Sequence, residues 1–91
     1  MTNPNTSEVK IWPDGSERWY LHNKLHREDG PAVIYPDGSK HWFLNGDYHR
    51  EDGPAIEWPD GTKEWYLNGT EFSNESELKN ALKSISRRSK N

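Results

Sequence analysis

The chain contains no cysteine among its 91 residues, and no apolar run long enough to cross a bilayer. The first of these absences excludes disulfide frameworks, cysteine-ligated zinc sites and thiol redox chemistry. The first ten residues also lack the apolar segment of an export signal. From these absences we expect an intracellular, reducing location in the cytoplasm.

Aliphatic side chains are scarce as well. Only 30% of the residues are hydrophobic, whereas tryptophan, tyrosine and phenylalanine alone make up 12%. Because each aromatic ring buries roughly 150–250 Å², a few rings can replace many aliphatic side chains. We therefore predict one small domain with a thin, aromatic core.

Most of the chain has no excess of positive charge. Residues 1–72 hold 7 Lys/Arg and 13 Asp/Glu, a net charge of −6, whereas residues 73–91 hold 5 and 2, a net charge of +3. Nucleic acids and anionic membranes both bind clustered positive charge. The acidic body therefore argues against either as the main partner.

What the sequence does contain is a repeat of 23 residues. Residues 11–33 and 34–56 are identical at 14 of 23 positions without a gap, and a third copy occupies residues 57–72. Fixed-period self-similarity is typical of architectures in which each unit buries its apolar surface against its neighbours. Residues that recur in every unit are therefore explained first by packing, which weakens any assignment of a catalytic centre.

Each repeat contains two predicted strands joined by a Pro-Asp-Gly-Ser/Thr turn, in which proline and Asp-Gly supply the backbone angles of a hairpin. The six predicted strands are residues 9–12, 17–22, 32–35, 40–45, 55–58 and 63–68. Side-chain alternation places Trp19 and Leu21 on one face of the sheet and Tyr20 on the other. Whether the turn carries a bulge, and hence the register, stays open at this point.

The segment after the repeats predicts a helix over residues 74–87, with Asn74 as N-cap and Glu77 completing a capping box. Its apolar stripe consists of Leu78, Ala81, Leu82 and Ile85. We expect this basic, amphipathic helix to cap the sheet and to fray from Arg87 onward. The predicted fold is thus mainly β, a single-layer antiparallel meander of about three β-hairpin repeats with a C-terminal capping α-helix, preceded by a disordered segment over residues 1–7.

The repeat resembles the MORN repeat, a 23-residue unit of the form YPDGxxYxGxWxNGxxHGxGxx. The matching residues in the second copy are Tyr35-Pro36-Asp37-Gly38, Asn45-Gly46, His49 and Gly53. The chain departs from the family where the glycine before the central tryptophan is replaced by Arg18, His41 and Glu64, and where each link reads His-Arg-Glu-Asp-Gly-Pro-Ala. This variant looks like the MORN-like, antitoxin-type (YwqK-like) repeats of bacterial and bacteriophage proteins.

The resemblance implies a hairpin ribbon that mediates protein contacts and self-association, with lipid binding also proposed for the family, and it supplies no catalytic residues. We hypothesise a non-enzymatic protein-protein interaction module, a small phage-type or antitoxin-like inhibitor that binds and blocks a larger host defence protein. In that case it would act in the host cytoplasm. We expect no cofactor, and we expect a homodimer because one face of a single-layer sheet lacks cover.

The two His-Arg-Glu-Asp clusters, residues 26–29 and 49–52, contain residue types that bind metals. Adjacent side chains in a strand or turn diverge, however, so we prefer a ladder of Arg–carboxylate pairs between neighbouring repeats, each worth roughly 0.2–1 kcal/mol. Acid–base catalysis by the same groups needs a concave site, which a small single-layer sheet does not offer.

The strand aromatics are suited either to a core or to stacking with the bases of single-stranded nucleic acid, although acidic neighbours oppose the second use. They are Trp12, Trp19, Tyr20, Tyr35, Trp42, Phe43, Trp58, Trp65 and Tyr66. We assign most of these rings to the core. The partner-binding strip is predicted to be Tyr20, Phe43 and Tyr66 on the second face, with His41 and Glu64.

The basic C-terminal segment adds Arg87 and Arg88 to the predicted partner-binding residues. Such a run is usually a solvated helix face whose charges are favourable at a helix C-terminus. It is also suited to nucleic acid, to an anionic lipid surface or to the acidic body of a second copy. Binding of nucleic acid or anionic lipid by this helix and the aromatic strip is the alternative function, and a hydrolase-like enzyme is the third.

Overall fold

The structure, a computed structural model, describes residues 7–89, with side chains described for residues 7–84. It is mainly β with one C-terminal helix, which confirms the predicted fold class. The elements are β1 (Glu8–Ile11), β2 (Glu17–Leu21), β3 (Lys24–Leu25), β4 (Val33–Ile34), β5 (Lys40–His41), β6 (Phe43–Leu44), β7 (Asp47–Tyr48), β8 (Ile56–Glu57), β9 (Lys63–Leu67), β10 (Thr70–Phe72) and α1 (Glu75–Ser89). Residues 1–6 of the predicted disordered segment lie outside the described residues, whereas the Ser7 hydroxyl donates a hydrogen bond to the His26 carbonyl.

The strands pair in the order β1-β2-β4-β5-β8-β9-β10, with β3 on β2, while β6 and β7 form a separate hairpin. All pairs are antiparallel. The prediction of two strands per repeat is therefore too low, because a third short strand (β3, β7 or β10) follows each second turn. Asn45 and Gly46 have φ values of 53° and 85°, and a two-residue turn with positive φ at both positions returns the chain directly into a strand.

The Pro-Asp-Gly turns settle the question of the bulge. The Gly15 N–H donates to the Trp12 carbonyl at 2.8 Å, and the Trp12 N–H donates to the Ser16 carbonyl at 2.9 Å. Gly15 itself has a φ of 93°. This is a three-residue loop closed by a glycine bulge, and the same hydrogen bonds recur in the other two repeats. The Asp14 carboxylate accepts hydrogen bonds from the Ser16 hydroxyl and N–H, which hold the pKa of Asp14 below its usual value.

The core differs from the aromatic one expected. Its buried apolar residues are Ala32, Val33, Ala55, Ile56, Leu67 and Leu78. All five tryptophans are half-buried or exposed, and Trp12 and Trp58 are 41% and 38% exposed. The molecule is only 16 Å across its thinnest dimension, so a single-layer sheet can enclose small aliphatic side chains but not large rings on its faces.

Helix α1 begins at its predicted cap. The Asn74 side chain accepts the Glu77 N–H at 3.0 Å, and the Glu77 carboxylate accepts the N–H of Ser73, one residue before the cap. Leu78 is 1% exposed, and the helix packs against β9 and β10, so it caps the last repeat. The helix continues to Ser89, beyond the fraying predicted at Arg87.

Candidate protein-binding face

A row of directly paired residues crosses six neighbouring strands. Paired residues on adjacent strands project from the same face of a sheet, so this row defines one face. It consists of Lys10, Arg18, Val33, His41, Ile56 and Glu64. We call this side of the sheet the polar–aromatic face.

The aromatic residue before each Pro-Asp-Gly turn lies beside this row. The Arg18 guanidinium is 4.7 Å from the centre of the Trp12 ring and 5.8 Å from that of Tyr35. Both distances are within the range of cation–π attraction. Arg18 therefore fills the space between the first rings of two successive repeats.

His41 fills the equivalent space one repeat later. Its ring centre lies 5.3 Å from that of Tyr35 and 5.4 Å from that of Trp58, at interplanar angles of 86° and 87°. These are edge-to-face contacts, which aromatic rings prefer. Glu64 is the third polar residue of the row, and its carboxylate accepts a hydrogen bond from the Trp58 indole N–H at 2.6 Å. The resulting ladder consists of Trp12, Arg18, Tyr35, His41, Trp58 and Glu64.

His41 is the most enclosed polar residue of the ladder, with 6% of its surface exposed. Its Nδ1 lies 3.2 Å from the Tyr48 hydroxyl, and its buried Nε2 contacts no hydrogen-bond partner among the described residues. Burial lowers the pKa of His41, while the carboxylates of Asp37 and Glu64 partly oppose that shift. The structure therefore favours a neutral imidazole at this position.

A strip of stacked rings lies beside the ladder on the same face. The Phe43 and Tyr48 rings are 4.2 Å apart at 29°, and Tyr48 lies 5.0 Å from Tyr66 at 30°. The Tyr66 hydroxyl donates to the Glu64 carboxylate at 3.3 Å, which joins the strip to the ladder. Burial, followed by the charge of nearby Glu71, raises the pKa of Tyr66. Tyr20 pairs with Leu25 on β3, and the Lys10 ammonium nitrogen lies 5.5 Å from the centre of the Tyr20 ring.

Five of the predicted binding residues thus lie on one face: Tyr20, Phe43, Tyr66, His41 and Glu64. The remaining two, Arg87 and Arg88, belong to the backbone of α1, but their side chains lie outside the described residues. Sequence reasoning missed Trp12, Arg18, Tyr35, Tyr48 and Trp58. One signal for them was present, since Arg18, His41 and Glu64 replace the small residue that the resemblance leads one to expect before each central tryptophan.

The His-Arg-Glu-Asp links differ from the ladder of ion pairs predicted between repeats. Arg27 pairs with Asp29, and Arg50 with Asp52, each at 2.9 Å and within a single link. Only the 3.1 Å contact between Arg50 and Glu57 reaches into the next repeat, among the side chains described here. Within those same side chains, no three His, Asp or Glu residues converge in a way that would hold a metal ion.

The two link arginines instead cover tryptophans on the opposite face. The guanidinium carbons of Arg27 and Arg50 lie 3.9 Å from the ring centres of Trp19 and Trp42. This close approach explains a glycine in each link, because a Cβ on Gly53 would lie 2.8 Å from the guanidinium carbon of Arg50. Trp19 and Trp42 are therefore each covered by the arginine of their own repeat.

Within residues 7–89, no helix has the length and apolar character that crossing a membrane requires. Comparison with models of protein families, with curated proteins and with solved structures gave no match. The similarity to MORN-like repeats accordingly stays a prediction from the residues quoted above.

Proposed function

We propose that this chain is a non-enzymatic protein-interaction module that binds a protein partner through the polar–aromatic face. The observation that supports the proposal is the exposure of Trp12 and Trp58, at 41% and 38%, on the ladder. Tryptophan, tyrosine and arginine dominate the binding energy of protein interfaces. Here the neighbouring polar groups already fix the rings, so binding would immobilise few further side chains.

The charges on this face suggest which partner surface it fits. Lys10 and Arg18 lie at one end of the paired row, and Glu64 lies at the other. Charge arranged in this way orients a partner and sets its rate of association more than its affinity. We infer a partner that places an acidic group over β1 and β2, and a basic group over β9.

The resemblance to antitoxin-type repeats adds the narrower proposal that the partner is a larger host defence protein and that binding inhibits it. Such an inhibitor acts by occupying a surface, so its effect should saturate at a fixed ratio of the two chains. A titration of the captured partner's activity with purified chain tests this. Full activity at a large excess of chain would reject inhibition while leaving binding intact.

Capture of the partner on immobilised chain tests the binding proposal. The informative variant is Trp12→Ala/Trp58→Ala, which removes the two exposed rings. The matched control is Lys63→Ala, because Lys63 is exposed and pairs with Glu57 on the opposite face. We expect the double variant to lose the partner and the control to retain it. A partner captured equally well by the folded double variant would contradict the proposal.

A further inference from the structure

Strand β1 forms one edge of the sheet, and within residues 7–89 no strand pairs with its outer side. Its four residues are all exposed. An edge strand presents unpaired backbone N–H and C=O groups, which makes it a template for strand addition. The pairing of β1 with β2 shows which of its residues present these groups.

The pair Val9–Trp19 is not joined by backbone hydrogen bonds. Trp19 directs both its groups away from β1, because its N–H donates to the Ala32 carbonyl at 2.8 Å and its carbonyl accepts the His26 N–H at 3.0 Å. In an antiparallel pair, hydrogen-bonded and non-hydrogen-bonded residues alternate. Val9 and Ile11 therefore point their backbone groups toward the open edge.

The same two residues carry exposed apolar side chains. Val9 is 47% exposed and Ile11 is 64% exposed. Natural edge strands are usually protected by charge, by proline or by a bulge. Glu8 and Lys10 lie on the other face of β1 and carry one negative and one positive charge. Strand β1 is therefore complementary to a partner strand that places a positive charge opposite Glu8 and a negative charge opposite Lys10.

A second copy of β1 has that arrangement. We propose that β1 pairs antiparallel with β1 of a second copy, with Val9 opposite Val9, to form a two-fold symmetric dimer with a continuous sheet. In this register Glu8 of each copy lies opposite Lys10 of the other, and Ile11 lies opposite Ser7. All outward-facing backbone groups of one strand then meet outward-facing groups of the other.

Neighbouring registers are less favourable. A shift of one residue would place backbone groups that face the open edge in one strand opposite residues whose backbone groups face β2 in the other. A shift of two residues would place Lys10 opposite Lys10, or Glu8 opposite Glu8, and like charges directly opposite each other are destabilising. The register with Val9 opposite Val9 is therefore the one that satisfies both the hydrogen bonds and the charges. The proposed dimer does not depend on the protein partner of the previous subsection, and it leaves the polar–aromatic face of each copy open.

Charge exchange tests the register in solution. We expect wild type to double its mass with rising concentration in sedimentation equilibrium, measured up to roughly 1 mM because a four-residue strand makes a small interface. Glu8→Lys and Lys10→Glu should each stay monomeric, since like charges then oppose each other. The double variant Glu8→Lys/Lys10→Glu should dimerise again, as should an equimolar mixture of the two single variants. A wild type that stays monomeric, or single variants that dimerise as well as wild type, would overturn the proposal.

Single cysteines give a second test, because the chain has no cysteine of its own. Paired residues in an antiparallel hydrogen-bonded pair lie about 5.5 Å apart at Cα, within the range for a disulfide. Val9→Cys should therefore form a crosslinked dimer under mild oxidation. The control Ile11→Cys should crosslink only when it is mixed with Ser7→Cys. Equal crosslinking of Val9→Cys and Ile11→Cys alone would contradict the register.

Discussion

The backbone N–H of Asn45 donates a hydrogen bond to Nδ1 of His26 across 3.0 Å, and Asn68 makes the same bond to His49 one repeat later. The Nε2 atom of His26 lies 3.3 Å from a Glu28 carboxylate oxygen. Nδ1 accepts from the backbone, so Nε2 is placed to donate to that carboxylate. Each link histidine thus ties its own repeat to the second turn of the next.

The first prediction follows from this contact. His26 is buried, so His26→Ala should lower the free energy of unfolding by roughly 1–3 kcal/mol through lost packing and a lost hydrogen bond. Urea denaturation followed by tryptophan fluorescence measures the change. The control is Lys63→Ala at an exposed position of β9, for which we expect a change within about 0.5 kcal/mol. Equal effects of the two substitutions would show that the link contact carries no stability.

The second prediction concerns the glycine beneath the stacked arginine. Gly53→Ala should destabilise the fold by about 0.5–1 kcal/mol, because the added Cβ displaces the flexible Arg50 guanidinium from the Trp42 ring and weakens that cation–π contact. A double-mutant cycle with Arg50→Ala isolates the cause. The glycine substitution should cost much less in that background. If Gly53→Ala lowers the free energy of unfolding by the same amount with and without Arg50, its effect arises from the backbone and not from the arginine.

Local chemistry explains which features of the fold the sequence predicts. Turns built on Asp-Gly and Asn-Gly, and the Asn74 cap, depend on residues close in the chain, so their positions follow from the sequence. The strands of two residues, such as β3 and β7, exist through pairing with a neighbour, and no local pattern signals them.

The composition of the candidate site depended on one undetermined feature, the bulge in each Pro-Asp-Gly turn. With the register open, alternation alone predicts Tyr20, Phe43 and Tyr66 on one face and assigns Trp12 and Trp58 to the core. The bulge at Gly15 fixes that register. It is this register that places the residue before each central tryptophan between the rings of two repeats.

The third prediction is a stabilising substitution in the first repeat. His22 and Asn23 form its second turn with φ values of 52° and 66°, where the later repeats have Asn-Gly. Left-handed backbone angles carry a steric cost for residues with a Cβ, smaller for asparagine than for most, and glycine avoids it at the expense of a more flexible unfolded chain. Asn23→Gly should therefore raise the free energy of unfolding only modestly, by up to about 0.5 kcal/mol. A loss of stability in the Asn23→Gly variant would contradict the turn geometry.

The fourth prediction is a pH dependence that originates at His41. Burial lowers its pKa in the folded protein from the ordinary value of 6.5, so the unfolded chain binds a proton at a higher pH than the folded one. The contribution of neutral His41 to stability is therefore complete above pH 6.5 and declines as the pH falls toward the lowered pKa. Urea midpoints measured across this range should decrease with falling pH.

The variant His41→Gln assigns that slope to a single group. Glutamine does not titrate, so the part of the pH dependence that starts near pH 6.5 should disappear even if the variant is less stable at every pH. Thr70→Gln, at an exposed position with no ionisable side chain, controls for the substitution itself and should keep the wild-type slope. If His41→Gln retained the full slope, the titration would belong to other groups, and His41 would not be the neutral residue that its contacts with Tyr35, Tyr48 and Trp58 indicate.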